Sequence, residues 1–315
     1  MSRHYLYHMV AFLTVVIWGS TFVFTKMLLQ AGLSPAQIFT LRFIIAYVLL
    51  FAYELFVCYF KSQTYSLKSQ TLKDELLMVA LGVMGGSVYF LAENAAMLYT
   101  TATNTSLIVC SCPLFTMLLM ALVCRKSERF TKTQVFGSLL ACTGMAVVVL
   151  NGHFVLHLSP IGDLLAFAAC LCWVAYSLLT KRLIGTYSII FVTRKLFFYG
   201  LLTIIPYYIC CPDEARMFLA PSTAHFTLPT IFNLLYLGVV ASLLCFLVWN
   251  MVIKKLGAVV ATNWVYLNPL STILFAWWLL NEQITPWLLL GTAFILIGMY
   301  LCDRKSKVEA QRSKV

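Results

Sequence analysis

Of the ionisable residues inside long apolar stretches of this chain, four matter most: Lys26, Arg42, Glu93 and Arg194. A charge held in hydrocarbon costs at least about 2.5 to 3.5 kcal/mol, so such residues face a partner or a water-filled path. Glu93 has the most useful chemistry, because a carboxyl in low-dielectric surroundings can be tuned to exchange a proton near neutral pH. That makes it the candidate coupling group, with the proton as candidate coupling ion; the plainer alternative is a fixed ion pair. Lys26 and Glu93 fall at similar depth, which predicts that they pair or share a polar cluster with Arg42.

Two helical faces could hold a ligand. Trp18, Thr21, Phe22 and Thr25 recur at i, i+3, i+4 and i+7, and Trp173, Tyr176, Ser177 and Thr180 repeat that spacing. Flat aromatic surface interleaved with hydroxyls suits an amphipathic small molecule; the same residues can also simply pack helices together. Asn94, Asn250, Asn263 and Asn268 place amides in apolar surroundings, where an unpaired polar group costs several kcal/mol. The candidate substrate-binding set is Trp18, Thr21, Thr25, Glu93, Asn94, Trp173, Tyr176, Ser177, Asn250, Asn263 and Tyr266. Pro113 and Pro269 are expected to bend their helices and to free a carbonyl one turn earlier, near Val109 and Val265. Asp163, after Pro160 and Gly162, is read as a helix cap, and Glu282 as a helix-terminal charge matching Glu128. Gly82 and Gly86 form a small-xxx-small patch for close helix contact.

The elements that must carry these residues follow from composition. Of 315 residues 62% are hydrophobic and 10% charged, against about 25% charged in a soluble domain; the exterior must face lipid. A crossing needs about 20 apolar residues, and only helices or closed barrels satisfy their backbone there. The alternating strands of a barrel are absent. Ten apolar runs are found near 8–28, 35–57, 76–97, 103–123, 133–150, 160–180, 188–210, 230–252, 258–280 and 286–302. The first is too long for a signal-peptide core and lacks a cleavage site, so it is read as retained. With both termini inside, 17 of the 22 Lys and Arg fall in cytoplasmic segments, and only Arg216 falls in the opposite loops. This asymmetry predicts a multi-pass inner or plasma membrane protein with both ends cytoplasmic.

The net charge of +11 does not point to nucleic acid, because the basic residues are dispersed in short loops. There is no P-loop, so no ATP-driven motor is expected. His4, His8, His153, His157 and His225 lie in the tail or outer loops without the company of a metal motif, and no metal or cofactor is expected. Most of the 11 cysteines sit in apolar runs and read as small core residues, and the adjacent Cys210 and Cys211 do not suit a mutual disulfide.

The chain repeats itself. WGSTFVFTK (18–26) lies on WVAYSLLTK (173–181), and Arg42 lies on Arg194. Phe90, Leu91, Asn94, Ala102 and Pro113 lie on Phe246, Leu247, Asn250, Ala258 and Pro269; Gly137 and Gly144 lie on Gly291 and Gly298. Five spans per repeat, an odd number, force the halves into opposite orientations. Loop charges agree: KSERFTK (126–132) is basic and its counterpart NEQIT (281–285) is not. Inverted repeats of this kind mark secondary transporters, in which two like halves open a midplane site to alternate sides.

In the Trp18–Phe22 start, Arg42, Pro113, Pro269, Glu282 and the glycine pairs Gly137/Gly144 and Gly291/Gly298, the chain resembles the EamA family of the drug/metabolite transporter superfamily over nearly its whole length. A departure is Val174 in the place of Gly19. The resemblance implies an all-α polytopic membrane protein of ten transmembrane helices, built as two inverted five-helix repeats (8–150 and 160–302) followed by a basic cytoplasmic tail (303–315). It further implies a non-enzymatic carrier, monomeric or homodimeric, that exports an amino acid or drug-like amphipathic compound across the lipid bilayer. The alternatives are exchange of a phosphorylated sugar or nucleotide sugar, which wants several cations facing the cavity, and a membrane-embedded enzyme or assembly partner.

Overall fold

The computed structural model describes residues 3–61, 69–100, 102–123, 132–150, 159–219, 227–280 and 286–301, the last without 288, 292 and 299. Glu128, Glu282, His153, His157, His225, the loops 126–131 and 281–285 and the tail 303–315 lie outside the described residues.

The described regular elements are helical. They are α1 (Arg3–Gln30), α2 (Pro35–Lys61), α3 (Leu72–Tyr99), α4 (Ala102–Val109), α5 (Cys112–Val123), α6 (Lys132–Leu150), α7 (Pro160–Leu183), α8 (Ile189–Cys210), α9 (Pro212–Leu219), α10 (Leu228–Leu256), α11 (Ala258–Leu279) and the shorter apolar α12 (Leu289–Gly298). Seven of these, α1, α2, α3, α7, α8, α10 and α11, are long and apolar enough to cross a membrane. With large apolar side chains such as Tyr59, Leu164, Phe232 and Trp278 exposed on the outside, this is a multi-pass membrane protein.

Helix starts are written locally. The side chains of Thr71, Ser159, Ser188 and Thr227 each accept from a backbone N–H three residues on, satisfying one donor that a helix start otherwise orphans. At α7 the cap is therefore Ser159 rather than Asp163, which adds a negative charge to the first turn instead. The α10–α11 turn is made at Gly257, whose φ of 84° a side chain would strain.

Three helices depart from regular winding where the sequence repeats. A π-helical turn interrupts α3 at Val83–Ser87 and α10 at Tyr236–Leu244, at matching positions of the two halves. The run expected at 103–123 is broken into α4 and α5 just before Pro113, and α11 narrows to a 3-10 turn at Trp264–Leu267 just before Asn268–Pro269. Proline offers no N–H to the turn before it, which is why each break falls there.

Glycines set the closest approaches. A Cβ on Gly82 would stand 2.4 Å from the Tyr199 Cβ, and one on Gly86 3.1 Å from the Gly200 Cα, so α3 and α8 touch almost backbone to backbone. A Cβ on Gly144 would meet the Gly291 carbonyl at 2.6 Å, and one on Gly298 the Gly137 carbonyl at 2.5 Å. Numbers rise along α6 as they fall along α12, so the pair is antiparallel, and exchanging the repeats turns one contact into the other. Gly19 lies against Ser271 and Asn268 of α11, whereas its counterpart Val174 is a buried side chain; this close approach is made in one half alone.

Candidate functional site: an aromatic hollow at the junction of the repeats

The core between the halves is an aromatic cluster. Trp18 of α1 meets Trp173 of α7 edge-on, centroids 5.1 Å apart, and Trp249 of α10 at 4.9 Å. Such ring pairs add stabilisation beyond their buried area and hold one another in fixed poses. Trp18 is pinned further by its indole N–H, which donates to the Ala241 carbonyl at 2.9 Å. Ala241 lies in the π-helical turn of α10, and a widened turn of this kind leaves a carbonyl available to an outside donor.

Inside this cluster lies a narrow hollow with a free volume of about 30 Å³, room for little more than a water molecule. Its aromatic walls are Trp18, Phe22, Tyr89, Phe90, Trp173 and Phe246. Val109 and Cys112 on one side and Val265 and Asn268 on the other contribute to the lining, so both proline breaks border the hollow. Its charged members are Arg42 and Glu93, 2% and 8% exposed.

Each of the two groups has a side-chain hydrogen-bond partner. Arg42 Nε donates to Ser242 Oγ at 2.9 Å, and its guanidinium carbon lies 4.3 Å from the centre of the Phe90 ring, a cation–π placement. Glu93 accepts from the Tyr89 hydroxyl at 2.6 Å, one turn back on α3. The hollow thus carries one guanidinium and one carboxyl group against flat apolar walls. That is the complement of a small zwitterion with an apolar body. Of the buried side-chain polar atoms in the lining, two have no hydrogen-bond partner among the described residues, the Trp173 indole Nε1 and Asn268 Oδ1.

Of the candidates from sequence, Trp18, Thr21, Glu93 and Trp173 line the hollow, while Thr25, Asn94, Tyr176, Ser177, Asn250, Asn263 and Tyr266 do not belong to its lining. Several of these make structural bonds. Tyr176 donates to Asn250 Oδ1 at 2.7 Å and Asn250 donates to Thr193 at 2.8 Å, joining α7, α10 and α8. Asn94 donates to the Pro35 carbonyl at 3.1 Å, and Ser177 to the Trp173 carbonyl. Thr21, although in the lining, donates to the Trp18 carbonyl at 2.7 Å. Lys26 departs from expectation: its ammonium donates to the Met97 carbonyl at 2.6 Å, where a cation satisfies a carbonyl in the last turn of α3. Tyr89, Phe90, Phe246 and Ser242 were missed; Tyr89 had a readable signal, standing four residues before Glu93 on one helix.

The other intramembrane cations serve elsewhere. Arg194 pairs with Glu54 at 3.3 Å, and Lys195 with Glu75, which also accepts from Tyr199. At the opposite end of the molecule Glu214 accepts from Ser34 and from Tyr207, and Gln37 donates to its backbone carbonyl at 3.1 Å. Polar links thus cross between helices at both ends of the bundle.

Comparison with known proteins defines the class. The profile of the EamA-like transporter family matches residues 6–150 and 160–302, and the chain belongs to this family. Among its relatives are an uncharacterized transporter of Archaeoglobus fulgidus, 27% identical with 95% of this chain and 97% of the relative covered, and a probable amino-acid metabolite efflux pump of Escherichia coli, 27% identical with 92% of each covered. A probable terminal-alkyne amino-acid exporter of Streptantibioticus cattleyicolor is 28% identical over 74% of each. A crystal structure superposes with a TM-score of 0.71 at 18% identity, over 93% of this chain and 96% of the other, which is a likeness of fold. The protein is a membrane transporter of the drug/metabolite transporter superfamily.

Proposed function

We propose that this chain is a secondary carrier that exports a small amphipathic metabolite with an α-amino-acid head group. Ten membrane-crossing helices, arranged as oppositely oriented halves 8–150 and 160–302, would open the hollow to alternate faces of the plasma membrane, with both termini in the cytoplasm. The observation that carries the reading is the joint presence of Arg42 and Glu93 in one aromatic hollow between the halves. The antiparallel exchange of Gly144–Gly291 for Gly137–Gly298 supports the inversion, because a two-fold axis lying in the membrane plane produces such a pair. The printed names of the Escherichia coli and Streptantibioticus relatives favour an amino-acid-like cargo.

A phosphorylated sugar is disfavoured, since Lys26, Arg194 and Lys195 are spent on other partners and Arg42 is the one cation in the lining. Glu93 is the residue proposed to take up and release a proton as the cargo moves. The walls stand too close for a metabolite to enter without parting them, so transport requires α1 and α7 to separate at Trp18 and Trp173. Purified chain in proteoliposomes, tested for uptake of radiolabelled L-phenylalanine and L-threonine under a proton gradient, decides the matter. Uptake above protein-free vesicles that collapses with a protonophore is expected; equal counts with and without protein would sink the reading.

A further inference from the structure

The two polar atoms of the hollow's lining left without partners among the described residues are of opposite type. Trp173 Nε1 can only donate and Asn268 Oδ1 can only accept. Both residues line the same hollow and are 5% and 6% exposed. A buried unpaired polar atom is costly, and the repeat makes the asymmetry plain: Trp18, the counterpart of Trp173, has its indole N–H satisfied by Ala241.

Chemical type gives each atom its use: the N–H can meet only an acceptor such as a carboxylate, and the carbonyl oxygen only a donor such as an ammonium. Glu93 and Asn268 both line the hollow and supply it with two acceptors, a carboxyl and an amide carbonyl. Trp173 packs on Tyr89 with centroids 5.3 Å apart and on Phe246 at 6.3 Å, and Phe246 adjoins the Phe90 ring on which Arg42 lies. Two donors, a guanidinium and an indole N–H, therefore border the same group of rings.

We infer that Trp173 and Asn268 are specificity-determining residues: the Trp173 N–H joins Arg42 in receiving the substrate's carboxylate, and the Asn268 carbonyl joins Glu93 in receiving its ammonium. The inference rests on the amino-acid head group proposed above and adds the second contact to each pole. A zwitterion is then bound by two donors and two acceptors, and a compound that lacks either pole leaves one buried pair empty, which is how a site built of polar groups rejects near-isosteres.

The test uses the full chain in detergent and three probes with one ring: L-phenylalanine, 2-phenylethylamine, which lacks the carboxylate, and 3-phenylpropanoate, which lacks the ammonium. Dissociation constants come from calorimetric titration. Trp173→Phe keeps the ring and removes the N–H; it should weaken L-phenylalanine and 3-phenylpropanoate about tenfold and leave 2-phenylethylamine unchanged. Asn268→Leu should weaken L-phenylalanine and 2-phenylethylamine by a similar factor and spare 3-phenylpropanoate, and Asn268→Asp, which retains an acceptor, should restore them. A loss shared equally by all three probes, or no loss, overturns the inference while the amino-acid reading stands. Wild-type chain that binds none of the three overturns the amino-acid reading and this inference with it.

Discussion

Arg42 Nε donates to Ser242 Oγ at 2.9 Å, tying α2 of the first half to the π-helical turn of α10 in the second. The bond uses one edge of the guanidinium and leaves the planar fork to meet a carboxylate in bidentate fashion. Lysine has a point charge and cannot do both. Arg42→Lys is therefore expected to raise the KM for a carboxylated substrate about tenfold while the chain elutes as a single folded species in size-exclusion chromatography. An unchanged KM would remove Arg42 from substrate contact.

Glu93 is held by Tyr89 within the hollow, which leads to a paired prediction. Glu93→Gln keeps the shape and the bond to Tyr89 but cannot release a proton, so uptake in proteoliposomes should lose both its pH dependence and its response to an imposed proton gradient. Tyr89→Phe retains the carboxyl and should shift the pH profile without flattening it. If Glu93→Gln transports with the wild-type profile, proton coupling lies in another group.

Much of this arrangement was legible before the fold was known, and the rest was hidden for a physical reason. Apolar runs, loop charges and paired tryptophans depend on residue type and spacing, so α1 and α7 and the place of Trp18 and Trp173 could be read directly. What spacing does not reveal is which of two equivalent residues is satisfied. Trp18 and Trp173 occupy like positions, yet only the former meets a carbonyl; Asn94 and Asn250 are equivalent, yet one bonds the start of α2 and the other Tyr176 and Thr193. Those outcomes depend on contacts some 60 to 220 residues away, which no local pattern encodes. The π-helical turn that supplies Ser242 and Ala241 likewise had no signal in composition.

The helix pairing at the glycines predicts symmetric damage. Gly144→Ala and Gly298→Ala each push a methyl to within 2.6 Å or less of a backbone carbonyl on the facing helix, and a backbone cannot yield as a flexible side chain can. Overpacking of this kind costs about 1 to 3 kcal/mol. Both variants should lower the thermal unfolding midpoint of the detergent-solubilised chain by similar amounts, since exchanging the halves converts one contact into the other. A large loss for one variant and none for the other would argue against an axis relating α6 and α12.

Orientation can be read from a single thiol. Cys210, at the end of α8, is exposed and free, and it precedes Pro212–Leu219 on the side of the molecule where Glu214 links to Ser34. The loop-charge asymmetry predicts that this side faces out of the cell. A membrane-impermeant maleimide applied to intact cells should therefore label the wild-type chain, and Cys210→Ala should abolish most of that labelling. The neighbouring Cys211 is partly covered and should react more slowly. Labelling of Cys210 only in inside-out vesicles would reverse the proposed topology and, with it, the direction in which the proposed cargo approaches Arg42 and Glu93.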